Sequence, residues 1–204
     1  MKYYYKSLDN YEILDILKNL PFYDEWFEIV KDILASKEFQ KRRLFFHHEN
    51  ECLWTHCIRV SYSAYLYAVK HKINTRNCAI AGLLHDFYTR AWHPSEGLEV
   101  LEDKYRVKLE HPKKKLKLRE MHGFNHPIQA LENAKEYFPE YMNERIENAI
   151  VTHMFPMSLI NKTKWPKYRE SFAVWYADKH VSWTNLPSKP GNMLKYFGIK
   201  KKNK

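Results

Sequence analysis

Apolar residues recur at steps of three and four along most of the chain, and no stretch sustains the alternation of a half-buried strand. With only five glycines among 204 residues, the pattern predicts an all-α fold. Leu14, Leu17 and Leu20 lead into Pro21, and Trp26, Phe27, Val30, Ile33 and Leu34 follow, so two amphipathic helices come first. Leu53 to Lys70 is apolar almost all the way round, with Ile58, Tyr62, Tyr65, Leu66 and Val69 on one side and Val60, Ala64 and Tyr67 on another. A helix of that kind is central and buried. Asn74 or Thr75 can cap the next helix, which runs through Ala79, Ile80, Leu83 and Leu84 into the sequence LLHDF. The His-Asp pair therefore stands at a helix end.

From His93 to Glu120 the pattern weakens, and Pro94 and Pro112 punctuate what reads as an irregular or partly helical excursion. Pro127 is placed as the first-turn proline of a helix through Leu131 and Ala134 to Phe138, ended by Pro139. Asn143 caps a helix in which Ile146, Ala149, Ile150 and His153 stand at i, i+3, i+4 and i+7, closed by Pro156. A last helix from about Tyr168 to Thr184 puts Val174, Asp178 and Val181 on one face. The length suits one hydrophobic core. The expected architecture is a single-domain helical bundle: N-terminal helices in 1–39 packed on a core domain of 40–186, then a basic tail at 187–204.

Composition adds a partner class and removes others. Hydrophobic residues at 45 % and aromatics at 16 % describe a globular chain with an aromatic-rich core. No run approaches the roughly eighteen apolar residues of a membrane span, and the start MKYYYKSLDNYEIL lacks the apolar stretch of a secretion signal. A cytoplasmic protein without a membrane partner is expected. Cys52, Cys57 and Cys78 form no CxxC pair and are odd in number, so they read as buried small hydrophobes rather than a disulfide framework. The formal charge of +10 gathers in Lys113, Lys114, Lys115 and Lys117 and in the tail at Lys200, Lys201, Lys202 and Lys204. Such a field favours a small anionic ligand. Nucleic acid is the less favoured partner, because solvated lysine runs are common.

The candidate chemistry comes from His and Asp on faces that otherwise point inward. A buried carboxylate costs several kcal/mol unless it is paired or bound to a cation. Taken singly, each of these residues fits an ordinary hydrogen-bonded core position. Taken together, His56, His85, Asp86, His126, His153 and Asp178 supply imidazole and carboxylate from separate helices that one bundle can bring together. Mixed nitrogen and oxygen ligation suits Mn, Fe, Zn, Co or Ni better than Ca, and six groups are enough for two ions. His85 and Asp86 point about 100° apart on a helix, so both reach one site only where the chain turns.

This ordered set resembles the HD-domain superfamily of metal-dependent phosphohydrolases, whose pattern is a His, a His-Asp doublet and a late Asp. Here those elements stand as WTHCIRV, LLHDF and WYADKHVS. HGFNHP and IVTHMFP resemble the extra histidines of the HD proteins that hold two metals, and HGFNHPIQALENA resembles a group of small bacterial HD proteins. The likeness spans roughly residues 50 to 186. It implies that His56, His85, Asp86 and Asp178 hold one divalent metal, that Asp86 bridges to a second, and that His126 and His153 complete the second ion. Metal-activated water would then attack a phosphoester of a small phosphorylated molecule, a nucleotide among the candidates. With a single metal, His126 and His153 would contact phosphate instead.

The chain departs from the wider family in two places. Phe87, Tyr88, Thr89 and Arg90 follow the doublet where many members have glycine and lysine, so Arg90 would take the phosphate-binding role. The GYP motif of cyclic-dinucleotide phosphodiesterases is absent, which removes that substrate. Arg59 and Lys179 are further anion-binding candidates, with a structural ion pair the competing role for each. His122 reads as a loop histidine that can approach the site, His47 and His48 as surface or helix-end residues, and His71, His93, His111 and His180 as exposed. Two other functions share the pattern: a di-iron oxygenase of the HD type, and a metal-containing binding module without turnover.

Overall fold

The computed structural model describes residues 12–47, 51–88, 90–91, 108–109, 121–161 and 165–184. The Lys113–Lys117 run, His48, His93, His111 and the tail from 185 onward lie outside them. The fold is all-α: α1 (Glu12–Leu17), α2 (Tyr23–Ala35), α3 (Lys37–Gln40), α4 (Leu53–His71), α5 (Thr75–Leu84), α6 (His122–Tyr137), α7 (Glu144–Thr152) and α8 (Arg169–Thr184). Two strand pairs of two residues each accompany them. β1 (Phe46–His47) lies antiparallel to β2 (Glu51–Cys52), and β3 (Arg90–Ala91) lies parallel to β4 (Lys108–Leu109).

The 19-residue α4 carries no acidic residue and is buried on nearly every side, as its all-round apolar pattern requires. It packs along α5 and α8. Asn74 caps α5 by accepting a hydrogen bond from the Asn77 amide at 2.9 Å, and Asn143 caps α7 by accepting from the amides of Arg145 and Ile146. On α8, Ala173, Val174, Ala177 and Val181 face the same interior as Asp178. The N-terminal helices share this core: Trp26 donates its indole N–H to Ser61 Oγ at 3.0 Å, Ser61 donates to the Ala79 carbonyl at 2.7 Å, and Tyr62 donates to the Pro21 carbonyl. One apolar cluster runs from Ile13 to Val181, and all three cysteines are buried in it. Among the described residues no helix is long and apolar enough to cross a membrane.

Two expectations fail at α6. The helix begins at His122, not near Pro127, so Pro127 lies inside it. Proline there removes the bond its amide would make to the Gly123 carbonyl, while the upstream turn keeps its own bonds from the Phe124 and Asn125 amides to the Met121 carbonyl. His122 is accordingly a helix residue, not a loop one. His180 also differs from expectation: it is half-buried and its ring stacks on Tyr176 at 5.9 Å.

Candidate metal centre

Five helices deliver the six groups to one place. His56 comes from the first turn of α4, His85 and Asp86 from the turn that ends α5, His126 from α6, His153 from the C-cap of α7, and Asp178 from the middle of α8. None is more than 7 % exposed. His85 keeps helical backbone angles as the C-cap, and the chain turns just after it, where Phe87 N bonds back to Leu84 O and Tyr88 N to Asp86 O.

Three of the imidazoles are oriented the same way. His85 Nδ1 lies 2.8 Å from the Gly82 carbonyl, His126 Nδ1 2.9 Å from the His122 carbonyl, and His153 Nδ1 2.8 Å from the Ile150 carbonyl. A carbonyl only accepts, so Nδ1 carries the proton in each ring and Nε2 presents a lone pair when the ring is neutral. All three Nε2 atoms turn inward. This is the backbone-to-histidine support that metal-ligating imidazoles use to fix their tautomer.

The inward atoms fall into two sets, with Asp86 in both. Asp86 Oδ1 is 3.2 Å from His126 Nε2 and 3.3 Å from His153 Nε2, and those two nitrogens are 2.9 Å apart. Asp86 Oδ2 is 3.4 Å from His85 Nε2 and 3.9 Å from His56 Nε2. Asp178 Oδ1 closes that second set, 3.3 Å from His56 Nε2 and 3.7 Å from His85 Nε2. With metal–ligand bonds of about 2.0–2.1 Å, neighbouring ligands stand about 3.3 Å apart in a tetrahedron and about 2.9 Å apart in an octahedron. The separations fit a cation. His85 Nε2 and Asp86 Oδ1 are buried without a hydrogen-bond partner among the described residues, which suits atoms that coordinate a cation. The buried groups His56, His85, Asp86, His153 and Asp178 can hold a metal ion.

The electrostatics separate the members. Burial opposes charge on Asp86 and Asp178, but the imidazoles around them outweigh it and hold both carboxyls well below the usual range, with Lys179 helping at Asp178. Burial also opposes a charged His85, yet Asp86 and Asp178 on either side raise it above its ordinary value. Burial wins at His153 and pushes it down to about 4, so that ring is neutral near pH 7. Two neutral rings with protonated Nδ1 atoms would aim lone pairs at each other across 2.9 Å. A proton or a cation must relieve that contact.

Of the other expected residues, Lys179 meets the site: its Nζ lies 2.8 Å from Asp178 Oδ2 and its side chain is 40 % exposed. Asp178 also accepts from Ser182 Oγ at 3.3 Å. Arg59 is buried on α4 one turn beyond His56. Arg90 places its backbone in β3, and its side chain lies outside the described residues. Reading the sequence undervalued Tyr88 and His122. Tyr88 is buried and meets His122 edge-on at 4.7 Å, and His122 stacks on His126 at 5.1 Å. The i, i+4 spacing of His122 and His126 brings His122 near the site in the sequence reading, but the late helix start made it a loop residue there.

Gly82 supports the centre from behind. A Cβ built on it would stand 2.9 Å from Ser61 Cα, 3.2 Å from Ser61 N and 3.2 Å from Val60 O, all backbone atoms of α4 that cannot swing aside. Gly82→Ala gains about 1 kcal/mol of helix propensity but forces α4 and α5 apart, an overpacking cost of up to about 3 kcal/mol. We expect a net loss of about 1–2 kcal/mol, a melting point lower by ~2–8 °C, and weaker metal retention because the Gly82 carbonyl anchors His85. Thermal unfolding checks it; an unchanged or raised melting point would show that the helix contact is not tight. Compared with protein-family models, with curated proteins and with solved structures, the chain has no match in any of the three.

Proposed function

We propose that the chain is a metal-dependent phosphohydrolase of the HD type, holding two divalent transition-metal ions and cleaving a phosphoester of a small phosphorylated molecule. The observation that carries this reading is Asp86, which turns one oxygen to His126 and His153 and the other to His56 and His85. A carboxylate shared in this way suits a pair of ions bridged by one ligand. The motif order of the sequence supports it independently, from His56 through the doublet to Asp178.

Asp86 and Asp178 together neutralise only half the charge of two divalent ions, so the loaded centre attracts an anion. The bound metals would lower the pKa of water from about 15.7 towards 7 and stabilise attacking and leaving oxygens. Lys179, partly exposed beside Asp178, offers a donor to a phosphoryl oxygen. Arg90 is assigned the same role from the sequence. The buried walls limit competing water to what the metals hold.

The test measures metal per chain in the purified protein and in His126→Ala, with phosphate release from para-nitrophenyl phosphate. Two ions falling to one, with hydrolysis reduced in parallel, is the expected result. One ion in both forms would sink the two-metal reading. An iron pair that consumes oxygen and releases no phosphate would replace it with the oxygenase chemistry of the same ligand order.

A further inference from the structure

The six metal-binding groups are closed to solvent, so a substrate must reach them past something more open. His126 is the most exposed of the six, at 7 %, and it sits in the first turns of α6. The residues just before it open outward: His122 is half-buried, while Met121 and Gly123 are exposed. A Cβ built on Gly123 would meet no atom within 4 Å among the described residues. The start of α6 is thus an approach to the Asp86–His126–His153 set, and His122 flanks it.

The His122 ring is held there. It stacks on His126, with planes 22° apart, and receives the edge of Tyr88, which itself stacks on Phe45 at 5.7 Å. These contacts fix the ring plane beside His126 and leave the contacts with Asp86 Oδ1 to the Nε2 atoms of His126 and His153. An imidazole offers an N–H in either tautomer. The end of α6 adds the positive pole of its helix, which has no side-chain cap at Met121.

The geometry points to His122 as a substrate-contacting residue that donates a hydrogen bond to a non-bridging oxygen of the phosphoryl group. The inference rests on the phosphohydrolase reading. It assigns the phosphate an orientation: its reacting end lies at Asp86, His126 and His153, and an oxygen faces α6. His122 takes no part in holding metal.

Two substitutions separate the donor from the packing. His122→Phe keeps an aromatic ring against Tyr88 and His126 but loses the donor, whereas His122→Gln keeps an N–H donor and loses the ring. A hydrogen bond to a charged oxygen corresponds to about a ten- to hundredfold change in affinity. With para-nitrophenyl phosphate as substrate, His122→Phe is expected to raise KM and the inhibition constant of inorganic phosphate by that factor, with metal content unchanged. His122→Gln should recover part of the loss. Parameters equal to wild type in both variants would overturn the contact while leaving phosphohydrolysis standing, and metal loss in His122→Phe would overturn it by making His122 a support of the metal instead. A wild-type protein that holds metal but neither hydrolyses the ester nor binds phosphate would overturn both readings.

Discussion

Asp86→Asn is expected to cost the protein nearly all its metal and at least about a thousandfold in phosphate release, equivalent to about 4 kcal/mol of barrier. The substitution keeps the shape of the side chain and removes its charge. Asp86 turns a separate oxygen to each pair of imidazoles, at 3.2 and 3.3 Å from His126 and His153 through Oδ1 and at 3.4 and 3.9 Å from His85 and His56 through Oδ2. Without it, four imidazoles and the single carboxylate of Asp178 face any incoming cations. An amide nitrogen turned inward would also repel them. Metal analysis and phosphate release should therefore order the proteins as wild type, then His126→Ala, then Asp86→Asn. Equal metal in the two variants would mean that Asp86 does not bridge, and the case for a paired centre would go with it.

The parts of this arrangement visible in the sequence were those set locally. The bounds of α4 followed from an unbroken apolar run, and the starts of α5 and α7 from Asn74 and Asn143, because a capping amide acts within three residues of itself. The inward placement of His153 and Asp178 followed from the period of their helices. What the sequence could not express is how the helices cross. The division of Asp86 between two sets depends on where α6, α7 and α8 meet the turn after α5, a relation between segments far apart in the chain. The start of α6 was misplaced for a different reason: proline is most at home in a first turn, and here tertiary packing carries the helix a turn upstream through His122. Arg42 is a third case. It is fully buried with no hydrogen-bond partner on its guanidinium among the described residues, lying over Phe87 at 4.2 Å and Phe45 at 5.0 Å, and no local pattern in KRRL announces that placement.

Stripping the metal should lower the melting point of the wild-type chain by about 8–16 °C. A ligand present at about a thousand times its dissociation constant stabilises the folded form by about 4 kcal/mol, and a chain of this length shifts by about 2–4 °C per kcal/mol. The sign follows from the buried groups. In the metal-free protein the Nε2 atoms of His126 and His153 face each other at 2.9 Å, and His153 is too deeply buried to take a proton near neutral pH. Asp86 and Asp178 stay ionised, and a divalent ion adds to the compensation that the imidazoles and Lys179 already give them. The unfolded chain offers no assembled site, since water solvates each group separately, so the cation binds the folded state and stabilises it by the amount its affinity and concentration set. Melting with and without a strong chelator at pH 7 measures the shift. The same chelator should leave Asp86→Asn unmoved, because that protein has little metal to lose. A wild-type melting point that stays within a degree on chelation would mean that the cluster folds around protons rather than metal, with His126 donating to His153 across the contact that otherwise calls for an ion.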